Sequence, residues 1–209
     1  MSVSNIALTK AMKGYAQRHE LEVPKVSVRV QTWGQGKRTL AWRVTKHMRE
    51  EHKLKVPLSQ WRTEALVQHF FPQTMSDRIA EQARKAVADR WSKYTIQHWY
   101  GMGDVAWCAE TWSYIKAKAG STSPKMAYVP AIIEAAAHGR GGLKLTSSPR
   151  PGDGVIYDWN YDHVSDHIET LLSKKGGYIT TAAGNSGPPY VIKRYRTTGN
   201  VIAWVRVEK

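Results

Sequence analysis

The sequence predicts an α+β fold, with helices first and a small antiparallel sheet second. Up to about residue 138 the apolar residues recur at helical spacing. From Pro149 onward, short β-type runs alternate with turns that carry Gly, Pro or Asn. The 42% hydrophobic content, with 9 Trp and 10 Tyr, is enough for a core and excludes global disorder.

Residues 4–19 read as a helix capped by Ser4, with Leu8, Met12 and Tyr15 on one face. Residues 20–36 hold Pro24, Gly34 and Gly36 and read as loop around a short strand at VSVRV. Residues 37–52 are helical again through Leu40, Val44 and Met48. A further helix from Ser59 to Phe70 carries Trp61, Ala65 and Phe70, and Pro72 stops it. Ser76 then caps a helix reaching Trp91, with Asp77 in its first turn and a stripe of Ile79, Ala83, Val87 and Trp91. Lys93 to Asp104 is aromatic and glycine-bearing and reads as loop. Residues 108–119 form a helix with Cys108, Trp112, Ile115 and Ala119 on one face, ended by Gly120. A shorter helix covers 129–138. PRPGD is a turn, and GVIYD, VSDHIETLL, GGYITTA, PYVIKRYR and NVIAWVRV follow as strands. The boundary falls at PQTMS, giving a basic helical region over 1–74 and a second domain over 75–209. No internal repeat is present.

Lys and Arg total 31 against 17 acids, a net charge of +14. Such a field attracts polyanions, of which nucleic acid and an anionic bacterial wall are two. Residues 1–75 carry 13 Lys/Arg against 5 Asp/Glu, so the positive charge is denser in the first third. No run reaches the roughly 18 apolar residues of a membrane span. The first 20 residues lack the apolar stretch and small-residue cleavage site of a secretory signal.

There is a single cysteine, so no internal disulfide can form and no Cys-based zinc site can be built. Cys108 falls where a loop enters a helix. Free backbone N–H groups and the helix dipole there stabilise a thiolate, and the same N–H groups suit an oxyanion. A base must come from eight histidines. His19, His47, His52 and His69 belong to the N-terminal helices, and His98 and His138 to loops or their edges. His163 and His167 open the β-rich part. Strand alternation puts His167, Glu169 and Leu171 on one face, with Val164, Asp166 and Ile168 on the other. Spacing alone does not choose among the histidines.

Four segments carry a family resemblance. Trp107-Cys108-Ala109-Glu110 resembles the nucleophile box of the CHAP family, the cysteine, histidine-dependent amidohydrolases/peptidases. Pro151-Gly152-Asp153 with the strand after it, Asp166-His167-Ile168, and Ala183-Gly184-Asn185-Ser186 resemble that family's later segments, in the same order. The resemblance covers residues 76–207. It implies a papain-like fold, with a nucleophile helix on a small antiparallel sheet, and hydrolysis of an amide bond in peptidoglycan by an enzyme of the phage endolysin type. Cys108 would be the nucleophile and His167 the general base and then acid. Many members have a Glu where this chain has Ala183, and that Glu orients the histidine. Asn185 is the candidate to replace it, as in Cys-His-Asn enzymes; Asp166 is the second choice, and GNSG is good turn chemistry in its own right. The Cys108 N–H is one expected oxyanion donor, with Tyr100 or Gln97 as the other.

No cofactor and no metal is expected. Asp158-x-Asn160-x-Asp162 has oxygen ligands at calcium-loop spacing but lacks the Gly and distant Glu of a full loop, so it reads as a solvated turn. The N-terminal third, with Trp33, Trp42 and Trp61, reads as a wall-binding module or a helical extension of the catalytic core. A nucleic-acid module ranks below both, for want of a zinc or RNA-binding signature. Without a signal peptide, the resemblance implies accumulation in the host cytoplasm and access to the wall through a separate, holin-type membrane pore; a virion-borne hydrolase used at entry is the variant of that reading. The competing reading is a degenerate hydrolase fold that only binds wall or nucleic acid, and Ala183 is its footing. The bond cut (N-acetylmuramoyl-L-alanine amide or a bridge peptide) and the oligomeric state stay open.

Overall fold

The computed structural model describes residues 5–18, 43–44, 46–47 and 73–209. The chain divides into two compact units, Met1–Gln73 and Thr74–Lys209. In the first, α1 (Asn5–Arg18) buries Met12, Tyr15 and Ala16, and the Tyr15 hydroxyl meets His47 Nδ1 at 3.1 Å. The expected loop at 20–36, most of the helix at 37–52, the helix at 59–70 and the three tryptophans lie outside the described residues.

The second unit is α+β. Its helices are α2 (Met75–Ala88), α3 (Lys93–Tyr100), α4 (Cys108–Lys118) and α5 (Val129–Ala137). A short 3-10 turn at Arg140–Gly142 leads into the strands. These are β1 (Leu143–Leu145), β2 (Gly154–Tyr157), β3 (His167–Lys175), β4 (Tyr178–Ala183), β5 (Ile192–Thr197) and β6 (Val201–Val207). They form one antiparallel sheet in the order β1-β6-β2-β3-β4-β5.

Local chemistry explains the boundaries. α2 starts two residues earlier than Ser76 predicts. Thr74 is its cap, and Thr74 and Asp77 satisfy each other's backbone amides in a capping box. Ser76 is instead buried inside the helix, where its hydroxyl donates to Asp153 Oδ1 at 3.2 Å. The segment expected as loop over 93–104 is helical to Tyr100: Ser92 accepts from the Thr95 amide, and Gly101 ends the helix in the left-handed region at φ 87°. β3 begins only at His167. Val164 to Asp166 belong to the preceding loop, which Asp158 organises by accepting the Tyr161 and His163 amides at 2.7 and 3.0 Å. β1 has no counterpart in the sequence reading; three residues are too few for a periodic signal.

The core lies between helices and sheet. Ile79, Ala83, Trp112 and Ile115 pack against Ile156, Ile168 and Val205. A second cluster, Val155, Tyr157, Leu171 and Ile179, is also buried. The PGD turn ties helix to sheet. Asp153 is fully buried and takes Arg206 Nε at 3.1 Å and Nη2 at 2.7 Å, with the Arg150 amide at 2.9 Å. Gly152 sits at φ +95°, and a Cβ there would lie 1.9 Å from the Ser76 carbonyl oxygen, so the position demands glycine twice over. Among the described residues no helix is long and apolar enough to cross a membrane.

Candidate active site

Cys108 is the first residue of α4. Its cap, Trp107, contributes no side-chain hydrogen bond, so the first-turn amides stay free to act on the sulfur. His167 is the first residue of β3. Cys108 and His167 are 4% and 6% exposed, and their side chains lie near enough for each to shift the other's titration. Packing of α4 on β3 brings together residues 59 positions apart in sequence.

Burial pushes the Cys108 thiol up. The hydrogen bond and charge of His167, with the Ile168 and Ala109 amides, outweigh burial, and the thiol falls below its ordinary value. Burial also pushes the imidazole down. Cys108 and Glu169 more than offset this, and His167 is pushed up to about 9. Both shifts run toward a thiolate beside an imidazolium.

The partner that holds the ring is Glu169. Its Oε1 lies 3.2 Å from His167 Nε2. The same carboxylate takes the Tyr157 hydroxyl at 2.9 Å, the Thr181 hydroxyl at 2.5 Å and Arg196 through Nε and Nη2, the latter at 2.6 Å. Burial alone would raise its pKa; His167, Arg196 and Thr181 bring it down to about 2. Arg196 is itself held in place, its guanidinium 4.9 Å from the Trp159 ring centre and 5.6 Å from that of Tyr157.

Asn185, the sequence candidate for orienting the histidine, does not touch the ring. It is exposed in the turn after β4, in the left-handed region at φ 53°, a conformation asparagine tolerates. Its neighbour Ser186 has its hydroxyl 3.4 Å from His167 Nε2. Asp166 faces away and accepts the Trp159 amide at 2.7 Å. Ala183 is fully buried at the end of β4. Gly184 lies so near α4 that a Cβ would come within 2.0 Å of Thr111 Oγ1.

The other sequence candidates are accounted for. Gln97 donates to the Val105 carbonyl at 3.1 Å. The Tyr100 phenol is pushed up by burial and by Glu110, so it remains a donor, but no hydrogen bond joins it or Gln97 to Cys108. His98 stacks on Tyr94, and His138 bonds the Glu134 carbonyl. In the Asp158-x-Asn160-x-Asp162 stretch, Asp158 is occupied by backbone amides and Asn160 donates to Asp162 at 2.9 Å. Among the described residues no group of three or more His, Cys, Asp or Glu is placed to hold a metal ion.

A cleft of about 280 Å³ opens beside the histidine, lined by Trp159, His167, Asn185, Ser186, Arg194 and Arg196. Cys108 is not among the residues that line it.

No protein-family profile and no curated protein matches the chain. Among solved structures, it is similar to Ly7917 at 13% identity and a TM-score of 0.40, over 65% of this chain and 62% of that one. A second structure of Ly7917, with the hydrolyzing product of MDP, gives 14% identity and 0.40 over 64% and 62%. A protein similar to lipoprotein, of the NLP/P60 family, from Staphylococcus aureus subsp. aureus Mu50 gives 12% identity and 0.37, over 98% of this chain and 76% of that one. The match thus spans less than two thirds of Ly7917. Likeness this distant carries no argument about activity or substrate.

Proposed function

We propose that this chain is a cysteine-dependent amidohydrolase with a papain-like arrangement, and that it cuts an amide bond in bacterial peptidoglycan. The observation that carries the reading is the electrostatic coupling of Cys108 to His167, backed by a buried, ionised Glu169 within 3.2 Å of the ring. A buried structural thiol needs neither a base nor a carboxylate behind that base.

The roles follow from the geometry. His167 takes the thiol proton, and the Cys108 thiolate attacks the amide carbon. The developing oxyanion lies at the start of α4, where the Cys108 N–H is a free donor. The imidazolium gives its proton to the leaving amine and a thioester remains. Neutral His167 then draws a proton from water, whose oxygen attacks the thioester and frees acid and thiol. Glu169 acts through His167 as a positioning residue. It fixes the ring and stabilises the cation, the role that sequence reasoning gave to Asn185.

The choice of substrate rests on two further supports. One is the ordered resemblance of four motifs to CHAP enzymes. The other is the net charge of +14, which suits an anionic wall. Glu169 on β3 stands where it can do for His167 what Ala183 cannot, which supports the enzymatic reading over the binding-only alternative. Amidase and endopeptidase cleavage use the same thiol chemistry. A phage origin, synthesis in the host cytoplasm with pore-assisted release, and a wall-binding role for the N-terminal third complete the proposal.

The test is clearing of purified bacterial walls, with mass spectrometry of the fragments. Wild type should clear them and leave new amino termini, of alanine or of a bridge residue. Cys108→Ala should lose on the order of 10³-fold or more of the rate. Undiminished clearing by the alanine variant sinks the thiol mechanism.

A further inference from the structure

Arg194 has no role in the chemistry above, yet it lines the cleft beside His167. On β5 it stands opposite Thr181, whose hydroxyl donates to Glu169, so Arg194 projects from the same face of the sheet as the catalytic carboxylate. Its guanidinium is not balanced. Arg196 is paired with Glu169, whereas the hydrogen-bond partner of Arg194 among the described residues is neutral: Nη2 donates to the Ser186 carbonyl. Arg194 Nε is shielded from solvent and, among the described residues, has no acceptor. An enclosed donor of this kind is unfavourable until an acceptor arrives.

The rest of the lining points the same way. The ionisable residues of the cleft are His167, Arg194 and Arg196, and no acidic side chain lines it. Ser186 links the free cation to the reacting centre, because its carbonyl meets Arg194 and its hydroxyl lies 3.4 Å from His167 Nε2. A group held by Arg194 therefore lies in the same cleft as His167.

The geometry points to Arg194 as a specificity-determining residue that receives a free carboxylate of the substrate, next to the amide being cut. This rests on the proposed hydrolase activity and narrows its substrate to peptides carrying an unblocked acid at that position. A γ-linked glutamyl residue in a wall peptide is such a group, because linkage through the side chain leaves its α-carboxylate free. Guanidinium and carboxylate match in a two-pronged geometry that an amide cannot reproduce.

The experiment pairs two substrates with three proteins. The substrates are cross-bridged muropeptide dimers with free α-carboxylates on their D-glutamyl residues, and the same dimers amidated there. The proteins are wild type, Arg194→Gln and Arg194→Lys, and the readout is kcat/KM for release of new amine. Wild type should favour the free acid by about tenfold or more, chiefly through KM. Arg194→Gln should bring the ratio of the two substrates to about one, and Arg194→Lys should keep part of the preference, since a point charge replaces a fork. A general disturbance of the cleft would slow both substrates alike and leave the ratio intact. A preference absent in wild type, or surviving in Arg194→Gln, overturns the role of Arg194 while leaving the hydrolase reading standing. Wild type that releases amine from neither dimer overturns the hydrolase reading, and this inference with it. Calorimetry of both dimers against Cys108→Ala, with and without Arg194→Gln, gives the same ratio for binding free of turnover.

Discussion

Glu169 accepts hydrogen bonds from Tyr157, Thr181 and Arg196 while holding His167, and none of its own surface is open to water. Those partners bring its pKa down to about 2, and Cys108 together with this anion raises that of His167 to about 9. The rate should therefore rise with pH as the depressed thiol ionises, and fall near pH 9 as imidazolium, the acid for the leaving amine, is lost. In Glu169→Gln the cation loses its counter-charge. The alkaline limb should move down from about 9 toward the ordinary 6.5, with kcat/KM lower by about a hundredfold. A pH profile that keeps its alkaline limb in place would show that Glu169 does not act through the imidazole. Stability carries a second signature. Because the folded pKa of Glu169 is depressed from 4.5 to about 2, its contribution is full above 4.5 and is lost as pH falls toward 2. Glu169→Gln should be less stable than wild type by on the order of 2 kcal/mol at neutral pH, with the gap closing across that acid window in denaturant melts. The pairing of His167 with Glu169 is written in the two-residue alternation of β3. The order of family motifs pulls attention past it to Asn185.

Elements deliver these side chains, and glycines set how closely the elements approach. The end of β4 lies against the first turn of α4: a Cβ on Gly184 would meet Thr111 Oγ1 at 2.0 Å and Trp107 at 2.9 Å. Thr111 has little room to yield, since its hydroxyl donates to the Trp107 carbonyl at 2.7 Å. Gly184→Ala should push the helix start away from the sheet, costing about 1–3 kcal/mol of stability and lowering kcat as Cys108 moves off His167. Gly103→Ala is the control. A Cβ there meets nothing within 4 Å, so its thermal melt should stay within about 0.5 kcal/mol of wild type. A normal melt and normal rate for Gly184→Ala would mean that α4 is not clamped there. The helices and strands with clean periodicity are legible in the sequence: α4, α5 and β2 to β6. α3 is not, because its aromatic residues are weak helix formers and draw the eye to the glycines after them. Its signals are nonetheless local: a Ser cap at 92 and a left-handed Gly at 101. The close approaches at Gly152 and Gly184 are invisible from sequence, as they depend on which distant element arrives opposite.

On the scale of the whole molecule, the proposed function has charge acting in reaching the wall and not in cutting it. The +14 is unevenly spread, with residues 76–209 carrying 18 Lys/Arg against 12 Asp/Glu and the first third the denser excess. Long-range attraction between this surface and an anionic wall is screened once the Debye length shrinks, to about 10 Å at 0.1 M salt and about 3 Å at 1 M. Cys108 and His167, the proposed catalytic pair, are both buried, so salt hardly reaches them. Clearing of intact walls should therefore slow steeply as salt is raised, while cleavage of a small soluble muropeptide should change little. A chain shortened to residues 74–209 corresponds to one compact unit. It should keep its activity on the soluble fragment and show a shallower salt slope on walls, having lost a net +8 from the first third. Initial rates across a salt series, on both substrates and with both chains, make the comparison. If full-length and shortened chains lose wall activity in parallel with salt, the first third contributes no electrostatic attraction. If soluble cleavage falls as steeply as clearing, salt is acting on the cleft and the basic surface has no separate part in reaching the wall.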